Sequence, residues 1–128
     1  MSLEITSYAQ FWLKLDQLVA ASNLKIDRPK GTSHPRYPSF IYPLDYGYLE
    51  DTRSGDKADI DVWIGSLLSK TVTALICSVD LEKRDTEIKI LLGCTSQESR
   101  TILNIHNRGS QSAILLVRDE VVEVFYTR

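Results

Sequence analysis

Short runs rich in β-branched residues recur along the chain and limit the folds open to it. The segment 58–66, ADIDVWIGS, alternates polar and apolar residues in the manner of a half-buried strand. Further strands are predicted at 24–27, 70–80, 87–92, 113–118 and 121–126, supported by the runs VTALICSV, AILLV and VVEVFY. In the 58–66 strand, one face is predicted to carry Asp59, Asp61 and Trp63, and the other Ile60, Val62 and Ile64.

Two helices are predicted to flank and interrupt these strands. Apolar side chains recur at helical spacing within residues 1–22, and Ser7 has the spacing of a capping box to Gln10. A second helix is predicted over 95–107, because Thr95 has capping-box spacing to Glu98 and Gly109 follows as a stop signal. This element order is too irregular for a doubly wound sheet and suits a small barrel or an α+β domain.

Composition and charge exclude several classes of protein. The 128 residues are 43% hydrophobic and 25% charged, which fits one soluble domain and excludes a disordered chain, a collagen and a coiled coil. A net charge of −2 gives no global attraction to nucleic acid or to an anionic membrane. No run approaches the ~18 apolar residues of a membrane span, and no export signal is recognisable. We therefore expect a cytoplasmic protein with Cys77 and Cys94 as reduced thiols.

Charge is unevenly distributed along the chain. A basic, proline-containing stretch at 25–37 precedes a stretch at 45–61 with six carboxylates, and a mixed charged stretch follows at 80–89. Crowded carboxylates repel one another unless they are solvated or bind a cation, and oxygen ligands suit Mg²⁺, Mn²⁺ or Ca²⁺ rather than zinc. Charged loops are most often solvated surface, but an acidic cluster beside a basic loop is also what a metal–phosphate substrate requires.

Three tyrosines lie together just before the acidic stretch. Tyr42, Tyr46 and Tyr48 occur in the run IYPLDYGYLED with Pro43 and Gly47 between them. A tyrosine hydroxyl is a neutral donor for phosphate oxygens that does not compete for a metal. Packing in an aromatic core accounts for one or two of these residues, whereas three within seven residues indicate a shaped site.

The segment 42–61, YPLDYGYLEDTRSGDKADID, resembles the signature region of the family I soluble inorganic pyrophosphatases. That signature is a YPxNYGY-type strand followed by an acidic D-x-D-x-x-D motif. The resemblance implies a mainly β fold with flanking helices (α+β), namely a small closed OB-like β-barrel in a single domain over residues 1–128. It also implies hydrolysis of pyrophosphate to two orthophosphates with Mg²⁺ or Mn²⁺, in a homo-oligomer without nucleic-acid or membrane partners.

The resemblance implies a set of site residues, each taken from its position relative to the family pattern. Asp27 lies where the family has a glutamate before proline. The metal ligands implied are Asp56, Asp61, Asp80 and Asp85, with Glu87 as an alternative to Asp85. The phosphate-binding residues implied are Arg36, Tyr42, Tyr46, Lys89 and Arg108, and the catalytic group implied comprises Asp61, Tyr46 and, provisionally, Asp59.

Three departures from the family pattern bear on catalysis. Ala58 replaces the middle aspartate of the motif, so Asp59 is assigned provisionally as the residue that activates water. Asn107 stands where a tyrosine is expected beside Arg108, and a hairpin between Arg36 and Tyr42 is missing. Two alternatives therefore stay open. One is a phosphate- or nucleotide-binding module that no longer catalyses hydrolysis, and the other is an OB-type single-stranded nucleic-acid binder that stacks bases on the tyrosines.

Overall fold

The structure, a computed structural model, describes residues 3–118, and side chains from residue 6 onward. The predicted strand at 121–126 lies outside these residues. Two helices and six strands follow in this order: α1 (Leu3–Ala20), β1 (Leu24–Arg28), β2 (Asp45–Leu49), β3 (Ile60–Ile64), β4 (Val72–Asp80), β5 (Asp85–Leu92), α2 (Ser96–Ile105) and β6 (Gln111–Val117).

The six strands form one sheet in the order β1-β2-β3-β5-β4-β6. The central β3–β5 pair is parallel, and the remaining neighbours are antiparallel. Within the described residues β1 and β6 are edge strands, so the sheet is open there. The α+β class is confirmed, whereas the closed barrel is not confirmed.

The alternation of side chains along the strands builds two separate cores. On one face of the sheet, Val62 and Ile90 pack with Trp12 of α1. On the opposite face, Trp63 and Leu91 pack with α2. The apolar and polar faces predicted for segment 58–66 are thus the two faces of β3. Because the α2 face also carries the charged residues of β3 and β5, it is the face that holds the candidate site.

The capping signals in the sequence predicted the N-terminus of α2 but not that of α1. Helix α1 begins at Leu3, so Ser7 lies inside it and the predicted cap at that residue is wrong. Thr95 does cap α2: its hydroxyl accepts from Glu98 N at 3.1 Å, and the Glu98 carboxylate accepts from Thr95 N at 2.9 Å. The same carboxylate accepts from Ser66 N, which joins α2 to the chain leaving β3.

Neither described helix is long and apolar enough to cross a membrane.

Candidate active site

A buried lysine lies at the centre of the charged residues on the α2 face. Lys89 on β5 donates from Nζ to Asp61 Oδ2 at 2.7 Å and to Tyr46 Oη at 3.0 Å, and its Nζ lies 3.2 Å from Glu87 Oε1. The Lys89 and Glu87 side chains are each 7% exposed, while that of Asp61 is 28% exposed. The ammonium group therefore makes two hydrogen bonds and a further ion-pair contact to protein oxygens.

Strand register brings these four residues together. In the parallel pair, Val62 aligns with Ile90, which places the preceding residues Asp61 and Lys89 side by side. In the antiparallel pair, Tyr46 of β2 lies opposite Trp63 of β3, which is two residues from Asp61 and on the same face. Glu87 and Lys89 are two residues apart on β5 and therefore share a face. Four residues from three strands thus form one polar cluster, which we call the Lys89 cluster.

Gly47, between Tyr46 and Tyr48, permits the close approach of β1 to β2. A Cβ atom at this position would lie 1.9 Å from the carbonyl oxygen of Lys25, a distance that no side chain tolerates. The glycine of the YGY sequence is therefore required by strand packing, and the tyrosines on either side of it point to the α2 face.

A group of three carboxylates adjoins the Lys89 cluster. One oxygen from each of Asp56, Asp85 and Glu87 lies within 4.8 Å of the others. Because Glu87 also contacts Lys89, it belongs to both groups. Three carboxylate oxygens converging at this distance match the hard-oxygen ligands that Mg²⁺ and Mn²⁺ prefer, and they do not match zinc, which favours imidazole and thiolate. The residues present therefore fit a divalent cation of the magnesium type.

The loop between β2 and β3 carries Asp56 to this position. Gly55 lies against β5, where a Cβ would be 2.6 Å from the carbonyl oxygen of Thr86. The hydroxyl of Ser54 and the backbone N–H of Ala58 both donate to Asp56 Oδ1. The hydrogen bond from Ser54, with a smaller contribution from Ala58, lowers the pKa of Asp56 and keeps it ionised. Sequence reasoning missed Ser54 and Gly55, although a Ser-Gly pair before an aspartate is a turn signal.

Asp80, predicted from the resemblance to bind metal, is engaged elsewhere. It lies opposite Asp85 at the end of the β4–β5 hairpin. Its Oδ1 accepts hydrogen bonds from the backbone N–H groups of Glu82 and Lys83 and from the hydroxyl of Ser110 at 2.9–3.1 Å. The bond from Lys83, followed by that from Ser110, lowers the pKa of Asp80. The carboxylate stabilises the turn and is not part of the group of three.

Burial and charge pairing together determine the protonation of the cluster. Burial raises the pKa of the Tyr46 hydroxyl well above its ordinary value, against the influence of Lys89, so the phenol is neutral. Burial by itself lowers the pKa of the Lys89 ammonium, but the charge of Asp61 and the hydrogen bonds accepted by Asp61 and Tyr46 raise it. Lys89 is therefore a permanent cation, and Tyr46 keeps its proton.

Aromatic rings surround the Lys89 cluster on its apolar side. The ring centroid of Trp63 lies 4.4 Å from that of Tyr46 and 5.8 Å from that of Tyr42. Trp63 Nε1 donates to His106 Nε2 at 3.1 Å, and His106 Nδ1 lies 3.2 Å from Gln111 Oε1. His106 is therefore a hydrogen-bonded residue of the core. Tyr42 is likewise buried, at 6% exposure, and contributes a ring to the packing around Tyr46.

The remaining predicted site residues are not drawn into these contacts. The side chains of Arg36 and Arg108 are exposed and form no hydrogen bond or ion pair with any described residue. Asp59 directly precedes β3 and is half-buried. Asn107 binds the backbone around Leu103 and Ala113 and so joins α2 to β6. Asp27 pairs weakly with Arg28, at 3.9 Å.

No family model and no curated protein matches the chain, but solved structures do. An inorganic pyrophosphatase from Neisseria gonorrhoeae superposes with a TM-score of 0.55 over 81% of this chain and 86% of its own, at 16% identity. An inorganic pyrophosphatase from Coxiella burnetii superposes with a TM-score of 0.56 over 81% of this chain and 90% of its own, at 12% identity. An inorganic phosphatase from Anaplasma phagocytophilum superposes with a TM-score of 0.52 over 78% of this chain and 86% of its own, at 11% identity. The chain has the fold of the inorganic pyrophosphatases.

This similarity confirms the resemblance found in residues 42–61 at the level of the fold. Within the pyrophosphatase fold, the YGY strand is β2, and the acidic motif forms the loop and strand that follow it. Asp56 and Asp61, the first and last aspartates of the motif, lie in different groups. Asp56 belongs to the carboxylate group and Asp61 is paired with Lys89, while Glu87 connects the two.

Proposed function

We propose that this protein hydrolyses inorganic pyrophosphate to two orthophosphates with Mg²⁺, for which Mn²⁺ can substitute. The observation that carries the proposal is the shared position of Glu87, which joins the carboxylate group of Asp56 and Asp85 to the Lys89 cluster. The fold adds support, since the similar solved structures are described as inorganic pyrophosphatases or an inorganic phosphatase.

Asp56, Asp85 and Glu87 are proposed to hold the divalent cation. When bound, such a cation neutralises phosphate charge and lowers the pKa of a coordinated water. Asp61 is the proposed fourth ligand at the edge of this group, because Lys89 contacts both Asp61 and Glu87 and so holds the two carboxylates near each other. Asp80 is left out of the proposed set because its carboxylate is not among the three whose oxygens converge.

The chain's own groups are proposed to position the substrate and to move one proton. Lys89 donates into the oxygen of Tyr46, which directs the phenolic O–H away from the lysine, and we propose that this O–H donates to a phosphate oxygen when substrate binds. The oxygen of the attacking water bonds to one phosphorus, and the bond from that phosphorus to the bridging oxygen breaks. Asp61, assisted by Asp59 two residues before it, is proposed to accept the proton that water releases.

Cations supply the other proposed phosphate contacts. Lys89 is buried and already contacts three protein oxygens, so its proposed contribution is its positive charge and the positions in which it holds Asp61 and Tyr46. Arg36 and Arg108 have no partner among the described side chains and are the proposed direct ligands. Tyr42 is assigned to the wall of the same subsite through its ring contact with Tyr46.

A second function is favoured by one feature of the site. Ala58 replaces an aspartate of the family motif, and Asp61 is held by Lys89. In this alternative, the protein binds a phosphate compound or nucleotide with metal and does not hydrolyse it. Because either function requires the same carboxylate group, metal-dependent binding of pyrophosphate is expected in both, and only phosphate release separates them.

Phosphate release from pyrophosphate, measured with and without Mg²⁺, tests the proposal. The wild-type protein is compared with Asp61→Asn, and calorimetry records the binding of Mg²⁺-pyrophosphate by each. We expect Mg²⁺-dependent release that falls at least about a hundredfold in the variant, since general-base assistance contributes factors of this size. Binding without release by the wild-type protein would replace the proposed function with the alternative.

The resemblance also supports two proposals about the molecule in the cell. We propose a homo-oligomer, which light scattering on the purified protein tests, and a cytoplasmic location. A molecular mass equal to that of one chain would contradict the first.

A further inference from the structure

A line of aromatic rings leads from the Lys89 cluster to the protein surface. The distance between ring centroids is 5.7 Å from Tyr46 to Tyr42, 6.1 Å from Tyr42 to His34, and 5.1 Å from His34 to Tyr37. Exposure rises along this line from the buried Tyr42, at 6%, to Tyr37, at 61%. The mechanism proposed above uses the inner end of the line and leaves the outer end without a role.

The outer rings lie on a loop that its backbone holds closed. We call residues 31–42 the aromatic loop. Gly31 N donates to Tyr42 O, and Tyr42 N donates to Thr32 O, at 2.8 and 2.9 Å. Ser33 and Ile41 form an antiparallel bridge inside this pair. A large, exposed tyrosine ring therefore projects from a segment with a defined backbone, which reduces the entropy that a ligand must overcome on binding it.

His34 orders the tip of the aromatic loop. Its Nδ1 accepts from Arg36 N at 3.0 Å and from Tyr37 N at 3.2 Å. Two donors directed at Nδ1 require that nitrogen to be unprotonated, so the neutral ring carries its proton on Nε2. The imidazole stacks on Tyr42 with an interplanar angle of 8° and supports Tyr37 from the side. The outer face of Tyr37 is therefore held in place and open to solvent.

Charge around the aromatic loop matches a phosphate compound. Arg36 lies within the loop next to Tyr37, and Lys30 directly precedes it. The inner end of the ring line reaches Lys89 and the carboxylate group proposed to hold a divalent cation. A ligand that satisfies this arrangement combines a planar base with a metal-bound chain of phosphates.

We propose that this site binds nucleoside di- and triphosphates, with the base stacked on Tyr37 and the phosphates at the Lys89 cluster and carboxylate group. This inference rests on the proposed function, because it uses the same phosphate and metal subsite. The aromatic loop contributes the additional contact, which inorganic pyrophosphate lacks. Nucleotide and pyrophosphate therefore compete for one site.

The test measures the binding of ADP and of pyrophosphate by calorimetry in Mg²⁺, with wild type, Tyr37→Ala and Tyr37→Phe. Loss of a base–aromatic stack lowers affinity by about tenfold, so we expect Tyr37→Ala to reduce the affinity for ADP, relative to pyrophosphate, by that factor. Tyr37→Phe keeps the ring and is expected to keep the ratio. Pyrophosphate is expected to displace bound ADP.

The outcomes separate this inference from the proposed function. Pyrophosphate hydrolysis without ADP binding, or an ADP-to-pyrophosphate affinity ratio equal in wild type and Tyr37→Ala, overturns the nucleotide site and leaves the hydrolase intact. Binding of ADP that depends on Tyr37, without phosphate release from pyrophosphate, supports the nucleotide site and contradicts the hydrolase. An adenylate oligonucleotide that binds more tightly than ADP would overturn the assignment to a free nucleotide.

Discussion

At the scale of single residues, Lys89 determines how the site is organised. A buried ammonium is stabilised only where acceptors surround it, and Asp61, Glu87 and Tyr46 meet that need. Removing one partner of a buried ion pair typically costs about 3–5 kcal/mol, because the other charge is left without compensation. The cluster is therefore part of the folded core as well as of the candidate site.

The predicted strand over 87–92 contains Glu87 and Lys89, which lie two residues apart and so share a face. Their roles, like those of Asp61 and Tyr46, could be assigned only through the resemblance, because strand order is a long-range property that composition does not contain. His34 and His106 carried no recognisable signal. Each is defined by hydrogen bonds that join distant or irregular segments, such as that between Trp63 and His106.

His106 predicts a pH dependence of stability. Burial, with the nearby charge of Lys89, lowers its pKa to about 4 in the folded protein, against about 6.5 in an unfolded chain. Below pH 6.5 the unfolded state binds the extra proton first, so stability falls as the pH decreases toward about 4, by about 1.4 kcal/mol per pH unit at most.

Urea unfolding between pH 7 and 5.5, followed by Trp fluorescence, measures this dependence. In His106→Gln, which retains an amide donor and acceptor, we expect the slope of the unfolding free energy against pH to decrease. Equal slopes in the wild type and the variant would show that His106 is not the group responsible.

At the scale of the elements, the loop between β2 and β3 and the strand β5 together make the carboxylate group. The acidic motif predicted a cation-binding loop, and in the structure Asp56 of this loop lies close to Asp85 and Glu87 of β5. The contact of Gly55 with β5 could not be predicted, because a loop's packing on a distant strand leaves no periodic pattern. The capping box at Thr95 could be predicted because it is local.

Gly55→Ala tests the role of that contact. The added Cβ would lie 2.6 Å from a backbone oxygen, so the loop must shift and carry Asp56 away from its partners. We expect the free energy of unfolding to fall by about 1–3 kcal/mol and pyrophosphate hydrolysis to fall by about tenfold or more.

Gly31→Ala is the matched control for this substitution. Gly31 has a φ of +86°, which strains an alanine, but a Cβ there meets nothing within 4 Å. Both variants are expected to lose stability, while only Gly55→Ala is expected to bind Mg²⁺ more weakly in calorimetry. Equal Mg²⁺ affinities in the two variants would contradict a positioning role for Gly55.

At the scale of the whole molecule, the α+β class and the pyrophosphatase fold could be inferred from twenty residues of signature and the order of the elements. The element order suited either a small barrel or an α+β domain, and the closed barrel followed from the resemblance. The described strands form an open sheet with β1 and β6 at its edges, and no local property of those strands distinguishes an open sheet from a closed one. Closure depends on pairing between the first and last strands.

The measurement that tests the account most directly is phosphate release from Mg²⁺-pyrophosphate by wild type, Asp85→Asn and Asp80→Asn. The two aspartates are cross-strand partners at the end of one hairpin, yet only Asp85 belongs to the carboxylate group. The account predicts Mg²⁺-dependent release by the wild type, a loss of about tenfold or more in Asp85→Asn, and a much smaller change in Asp80→Asn, whose amide oxygen still accepts the turn hydrogen bonds. No release by the wild type, or a greater loss in Asp80→Asn than in Asp85→Asn, would contradict it.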